Sequence, residues 1–226
     1  MLKRVDALLS QLGYCTRKQA NRFLRENELT HKQEAVRNPA LKVKHSDLKL
    51  NNEPLDPISI TILMNKPQRT ICSHDDAGAL IYNLLPPRWL HRNPKISTVG
   101  RLDVDTTGAI LLTDDGKLNH RLTSPRSNIP KIYEATLAQA LNGEEKEIFA
   151  SGNLVLKGED KPLLPAKLEV ISDTLVRLEI VEGKYHQVKR MFAAVGNKVI
   201  KLHRVSFGEF SVEDLEEGEY KFIDIN

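Results

Sequence analysis

The stretch Gly100-Arg101-Leu102-Asp103-Val104-Asp105-Thr106-Thr107-Gly108-Ala109-Ile110-Leu111-Leu112-Thr113-Asp114-Asp115-Gly116 sets one acid, Asp103, in a polar loop that runs directly into an apolar strand. A carboxylate anchored beside a rigid element of this kind is suited to act as a nucleophile. Asp105, Asp114 and Asp115 read as ordinary solvated loop acids. Around this segment the pattern is strand-rich. Residues 58–64 form an apolar run closed by Asn65-Lys66-Pro67, and residues 132–137 alternate as a half-buried strand does. Residues 168–171 and 175–181 are joined by Ser172-Asp173-Thr174 as a hairpin, and residues 198–205 lead past Gly208 to Phe210 and a last strand at 220–225. Helices enter only as insertions, at 79–85 before Pro86-Pro87, at 117–122 before Ser124-Pro125, and from Asn142, capped with Glu145, through Phe149. Mostly antiparallel strands with helices between them predict an α+β fold with a mixed sheet.

A chain of 226 residues, 40% hydrophobic and 28% charged, can bury a sizeable core and has no excess of polar sequence that would predict disorder. Its apolar runs are far too short to span a bilayer and its start lacks a secretory apolar segment, so a soluble cytoplasmic protein is expected. Cys15 and Cys72 are widely separated and form no Cys-x-x-Cys unit, which argues for reduced thiols rather than a disulfide or a zinc site. The net charge of +3 conceals an asymmetry: residues 1–60 hold eleven Lys/Arg against seven Asp/Glu, whereas residues 61–226 hold twenty-two against twenty-three. A small basic unit thus precedes a larger near-neutral one, the distribution expected where the first unit grips a polyanion.

Within that first unit Val5, Leu8, Leu9 and Leu12 fall at helical spacing and Gly13 supplies a stop. Thr16 with Gln19 reads as a capping box opening a second helix whose apolar stripe is Ala20, Phe23 and Leu24. This leaves Arg17, Lys18, Arg22 and Arg25 outward, as a solvated helix face or as a phosphate-binding one; their clustering favours phosphate. Short strands at 41–43 and 48–50 follow, with Asn51-Asn52 as a turn. A Pro-containing junction near 56–60 reads as a linker, which divides the chain into residues 1–57 and 58–226.

A third informative stretch is Glu182-Gly183-Lys184-Tyr185-His186-Gln187-Val188-Lys189-Arg190-Met191-Phe192-Ala193-Ala194-Val195-Gly196. Val188, Met191, Phe192 and Val195 make one buried helical stripe, and Gly196 ends it. At about 100° per residue Lys189 flanks the stripe and Arg190 lies nearly opposite. Lys189 is therefore the residue placed to reach inward and balance the charge of a partly buried carboxylate such as Asp103. His186 either bonds a ligand or caps the helix start, and the sequence does not decide between them.

The Gly-Arg-Leu-Asp segment with its Thr, Gly and closing Thr-Asp-Asp-Gly, the Lys131-x-Tyr133 pair, and the Gln187-Val188-Lys189-Arg190 helix together resemble the three motifs of the pseudouridine synthases. The opening Arg4-x-Asp6-x-Leu8 and the Thr16-Arg17-x-x-Ala20 helix start resemble an S4 RNA-binding domain, although Asn27-Glu28-Leu29-Thr30-His31 departs from that pattern. The order of the motifs, and the Tyr-His-Gln-Val-Lys-Arg run, resemble the small-subunit branch of the family. The resemblance implies an enzyme that detaches a uracil from C1′, turns it and rejoins it through C5. Asp103 would be the nucleophile, Tyr133 the ring packed on the uracil and Lys189 the partner of Asp103. Arg101, Lys131 and Arg190 would contact RNA, as would Arg17, Lys18, Arg22 and Arg25. No atom is gained or lost in this chemistry, and the chain shows no Gly-rich phosphate loop, dinucleotide fingerprint or metal-ligand cluster, so no cofactor and no nucleotide are expected. The implied partner is 16S rRNA or a small-subunit assembly particle, met by a monomer. The alternatives are the same chemistry on 23S rRNA and a non-catalytic S4-domain protein of ribosome assembly.

Overall fold

The computed structural model describes residues 1–225. Strand β1 (Lys3–Arg4) leads into α1 (Val5–Gln11), which buries Val5, Leu8 and Leu9 and is stopped at Gly13, where φ is +79°. The Thr16 amide donates to Gln19 Oε1 at 3.1 Å as the capping box requires, but the box opens one 3₁₀ turn, Arg17–Gln19, before α2 (Ala20–Glu26). Then come β2 (Leu29–His31), β3 (Glu34–Ala35), β4 (Lys42–Val43), β5 (Leu48–Leu50) and β6 (Glu53–Pro54). β4 pairs with β1, and the other four form a sheet in the order β3-β2-β5-β6. Both hairpin tips, Lys32-Gln33 and Asn51-Asn52, have positive φ, the geometry that matches strand twist. Asn-Asn advertises such a turn; Lys-Gln does not, which is why β2 and β3 are absent from the sequence reading.

Among the described residues a nine-stranded mixed sheet organises the rest. Its strands are β7 (Thr61–Lys66), β8 (Ser97–Thr98), β9 (Thr107–Thr113), β10 (Lys131–Leu137), β11 (Lys167–Val170), β12 (Leu175–Ile180), β13 (Val199–Phe207), β14 (Phe210–Ser211) and β15 (Tyr220–Phe222). The path runs β11-β12-β10-β13-β9-β7-β15, with β8 on β9 and β14 on β13. The β13–β9 pair is parallel and the others are antiparallel, as an α+β mixed sheet requires. β7 and β9 are buried on both faces: Ile62, Met64, Ile110 and Leu112 enter one apolar cluster, Leu63, Ala109 and Leu111 another. Covering both faces is what makes these two strands read as continuous apolar runs. A separate cluster built on Val5, Leu8, Leu9, Leu24 and Leu48 serves the N-terminal elements.

The helices α3 (Gly116–Thr123), α4 (Glu145–Ala150) and α5 (Gln187–Ala194) occur where the spacing places them. Residues 81–84 form a 3₁₀ turn rather than an α-helix, because Pro86 and Pro87 leave no room for a second turn. α4 begins after Asn142: the Asn142 side chain accepts from the Glu144 amide at 3.0 Å, and the Glu145 carboxylate accepts from the amides of Asn142 and Gly143 at 3.0 Å each. Among the described residues no helix is long and apolar enough to cross a membrane. Both cysteines are free, and burial pushes both thiols up from their ordinary range.

Two expectations are corrected by the buried charges. The junction near residues 56–60 is tied down and is no free linker. Asp56 accepts from the Arg88 guanidinium and, at 2.7 Å, from the Trp89 indole, while Arg92 donates to the carbonyls of Pro57 and Ile58 at 2.8 and 3.0 Å. Those carbonyls are thereby withheld from the sheet, which explains why β7 starts at Thr61. Arg88 also lies over the Tyr14 ring, and Gly13 abuts the backbone of Arg88 so closely that a Cβ there would collide. Likewise Asp114 is not a solvated acid, and Asp115, though exposed, has a structural partner. Asp114 is buried against Arg92 at 2.8 Å and accepts from the Ser59 hydroxyl and the Ile60 amide, and Asp115 caps α3 by accepting from the amides of Lys117 and Leu118.

Candidate active site

The loop before β9 is fastened from beneath by Lys66, whose ammonium is fully buried and donates to the carbonyls of Thr106, Asp103 and Pro67 at 2.9, 3.1 and 3.2 Å. Burial pushes this lysine below its ordinary range, yet three carbonyl dipoles and nearby acids hold a cation there. At the start of β9, Gly108, with φ of +105°, lets the strand press against the Arg204 backbone of β13, where a Cβ would collide. The motif's glycine thus sets the distance between the Asp103 loop and β13.

On that loop the Asp103 carboxylate meets two groups from one segment. Lys189 Nζ lies 2.9 Å from Oδ2 and His186 Nε2 lies 3.3 Å from Oδ1. Burial of Val188, Met191 and Phe192 fixes the rotation of α5, and Lys189 on the stripe's flank is turned inward by it. Lys189 also reaches Asp105 Oδ1 at 2.6 Å, so Asp105 is exposed but not free. Burial works against the charge on Lys189, and its bonds to the two aspartates outweigh it, holding the ammonium above its ordinary value. Arg190 faces away, bonding Glu159 at 2.9 Å and the carbonyls of Tyr185 and Lys157 at 3.0 and 2.7 Å. His186 caps nothing by its side chain. It sits in the left-handed region, φ +48°, with its ring on the cavity wall.

A cavity of about 400 Å³ opens in front of Asp103, within the range of small-ligand sites. Arg101, Asp103, Thr106, Lys131, Tyr133, His186 and Arg204 are among the residues that line it. Tyr133 is buried with its hydroxyl accepting from Arg204 Nη1 at 3.4 Å. Arg204 is itself held by Nε donating to the Ala109 carbonyl at 2.6 Å, whereas its Nη2 and the Thr106 hydroxyl are buried without a protein partner. Lys131 Nζ donates to the carbonyls of Ile129 and Val181 at 2.8 and 3.2 Å, and Arg101, exposed, also lines the cavity. Among the described residues no cluster of three or more His, Cys, Asp or Glu side chains is arranged to hold a metal ion.

The fold therefore brings Asp103, Tyr133, Lys131 and Arg101 to one cavity, joins Lys189 to it through the Asp103 carboxylate, and leaves Arg190 off its lining. Arg17, Lys18, Arg22 and Arg25 are all exposed, far along the chain from that cavity. Arg17 leans on Asp6 at 3.4 Å and Arg22 on Glu26 at 2.7 Å. Lys66 and Arg204 belong to the site and were not singled out by sequence. Lys66 carries a signal, the one charged residue ending a strand that otherwise reads as buried, whereas Arg204 shares β13 with Lys201 and His203 and carries none.

Two outcomes follow from the buried lysines. Lys66→Met takes the ammonium from the Thr106 carbonyl and leaves the Asp103 and Pro67 carbonyls with only the Thr106 amide and the Thr70 hydroxyl, so thermal unfolding should show a loss of about 2 kcal/mol and the Asp103 loop should gain hydrogen exchange. A variant as stable and as protected as the parent would contradict the anchoring role. Burial, with Arg204 nearby, pushes Lys131 down to about 8. Because this cation binds its proton less tightly folded than unfolded, its cost is present at pH 7 and is relieved as pH rises from about 8 to about 10. The stability gap between the parent protein and Lys131→Met should therefore shift in the parent's favour across that window, as melting curves at pH 7 and 9.5 will read. An unchanged gap would contradict it.

A family model described as RNA pseudouridylate synthase matches residues 60–194. The chain belongs to the pseudouridine synthase family and is an enzyme of that class. Among curated proteins, it is 43% identical over 223 residues to the ribosomal small subunit pseudouridine synthase A of Pasteurella multocida, covering 96% of this chain and 94% of that one. It is also 43% identical over 225 residues to the protein of the same name from Escherichia coli K12, covering 96% and 95%. A solved structure titled as a crystal structure of pseudouridylate synthase superposes with a TM-score of 0.69 at 39% identity, covering 98% of this chain and 96% of that one.

Proposed function

We propose that this enzyme isomerises one uridine of small-subunit (16S) ribosomal RNA to pseudouridine, with Asp103 as the reacting carboxylate and no cofactor. The observation that carries the proposal is the Asp103 carboxylate, paired with Lys189 at 2.9 Å, at the edge of a cavity also lined by Tyr133. Asp103 attacks C1′ and displaces N1, or removes the 2′ proton to give a glycal; both routes break the C1′–N1 bond and need one carboxylate at that place. Tyr133 then holds the detached ring by a flat aromatic contact that tolerates its rotation. Joining C5 to C1′ releases the aspartate from its ester on the first route, or is accompanied by return of the 2′ proton to C2′ on the second; the C5 proton then passes to water and N1 takes one up, so no atom is gained or lost.

The uridine must leave its stack to reach this cavity, and Arg101 at the lip is suited to occupy the space it vacates. Residues 1–57 form the RNA-docking unit, of S4 type, with Arg17, Lys18, Arg22 and Arg25 facing phosphates. Lys131 and Arg190 act mainly as internal ties, because their cationic atoms already have protein acceptors; any RNA contact they make adds to that. The small-subunit assignment rests on the names of relatives that match along nearly the whole chain. The test is tritium release from 16S and 23S transcripts carrying [5-³H]uridine. Release of one equivalent from 16S RNA alone is expected. Release from 23S RNA alone would reassign the substrate, and release from neither would contradict the rRNA assignment.

A further inference from the structure

Of the five tyrosines in the chain, Tyr14, Tyr82, Tyr133 and Tyr220 are buried or half-buried, and Tyr185 alone is exposed, at 70%. Its ring is nonetheless ordered by a partner: it stacks on His186 with centroids 3.8 Å apart and planes 21° from parallel. His186 is the residue in the left-handed backbone conformation whose other contact is Asp103 at 3.3 Å. One strained residue thus connects the reacting carboxylate with an aromatic face that lies just outside the cavity.

The loop that carries this stack is braced. The Tyr185 carbonyl accepts from Arg190 at 3.0 Å, the Lys184 amide donates to Gln187 Oε1 at 2.8 Å, and Glu159 joins Lys184 and Arg190 at 3.1 and 2.9 Å. The same carboxylate holds both of the nearest cations in place, so the surface that Tyr185 presents outward is an aromatic face. A non-glycine residue at positive φ is disfavoured locally, and such conformations gather where a site requires them.

We infer that the Tyr185–His186 stack is a shelf for the nucleobase that adjoins the uridine in the cavity. Extracting one base leaves its neighbour without a stacking partner, and an ordered aromatic face at the cavity mouth replaces that partner. The shelf is indifferent to which base it carries, since every base has a flat face. This deepens the reading of the chain as an rRNA isomerase and rests on it.

The test compares the parent protein with Tyr185→Ala and Tyr185→Phe on transcribed 16S rRNA, by filter binding across a salt series and by single-turnover isomerisation. Tyr185→Ala should bind about tenfold more weakly or worse, the scale of one lost base–aromatic stack, with an unchanged salt slope and a saturating rate near that of the parent. Tyr185→Phe keeps the ring and should match the parent. Equal affinity of Tyr185→Ala, or a Tyr185→Phe as weak as Tyr185→Ala, would overturn the shelf. A fall in the saturating rate at unchanged affinity would also overturn it, because it would mean that Tyr185 only steadies His186. The binding arm decides the shelf even if the parent isomerises no uridine in this RNA, a result that would defeat the functional reading instead.

Discussion

Asp103→Asn is expected to abolish isomerisation, with single-turnover rates falling by about 10⁴-fold or more, the scale of removing a nucleophile, while fold and RNA affinity stay close to the parent's. The amide occupies the same volume and its one oxygen can still accept from Lys189 while its NH2 turns toward His186, but it cannot form the ester at C1′ or take the 2′ proton. The environment makes this a clean substitution. The Asp103 carbonyl is held from the main chain by Lys66, so the loop does not depend on the carboxylate for its shape. A folded Asp103→Asn protein turning over near the parent rate would remove Asp103 from the chemistry.

Lys189→Met is expected to cost about 10²-fold in the same assay, because it leaves Asp103 without its ammonium partner at a site that is only partly open to water. The side chains of Lys189 and Asp103 are 24% and 27% exposed, so solvent screens part of the pair and the loss should be smaller than for Asp103→Asn. Arg190→Met separates the two roles. Its guanidinium bonds Glu159 and two carbonyls and makes no contact with Asp103, so it should lower stability with a smaller effect on the rate at saturating RNA. If Arg190→Met were the slower of the two, the pairing of Lys189 with Asp103 would not be the one that matters.

The sequence carried a large part of this site because its geometry follows local periodicity. The stripe Val188, Met191, Phe192 fixes which way α5 faces, so the inward position of Lys189 and the outward one of Arg190 were both legible, as was Asp103 at the entrance of β9. What stayed hidden depends on contacts between distant segments. Lys66 read as the end of a strand, and only the return of the 103–106 loop over it reveals its three acceptors. Arg204 read as one more strand residue, since its role depends on the parallel pairing of β13 with β9, a non-local choice. Asp114 looked like a turn acid because Arg92, its partner, comes from a Pro-flanked segment with no periodic signal. The junction at Asp56 departs from its sequence pattern for the same reason: prolines signal a break in secondary structure, but they say nothing of a carboxylate that Arg88 and Trp89 hold in place.

The most direct measurement is a map of pseudouridine positions, read as carbodiimide-dependent reverse-transcription stops, in total rRNA from cells lacking this gene after treatment with the purified protein. The account predicts one new stop, in 16S rRNA, present with the parent protein and absent with Asp103→Asn. A new stop confined to 23S rRNA, no new stop at all, or the same 16S stop with Asp103→Asn would contradict it.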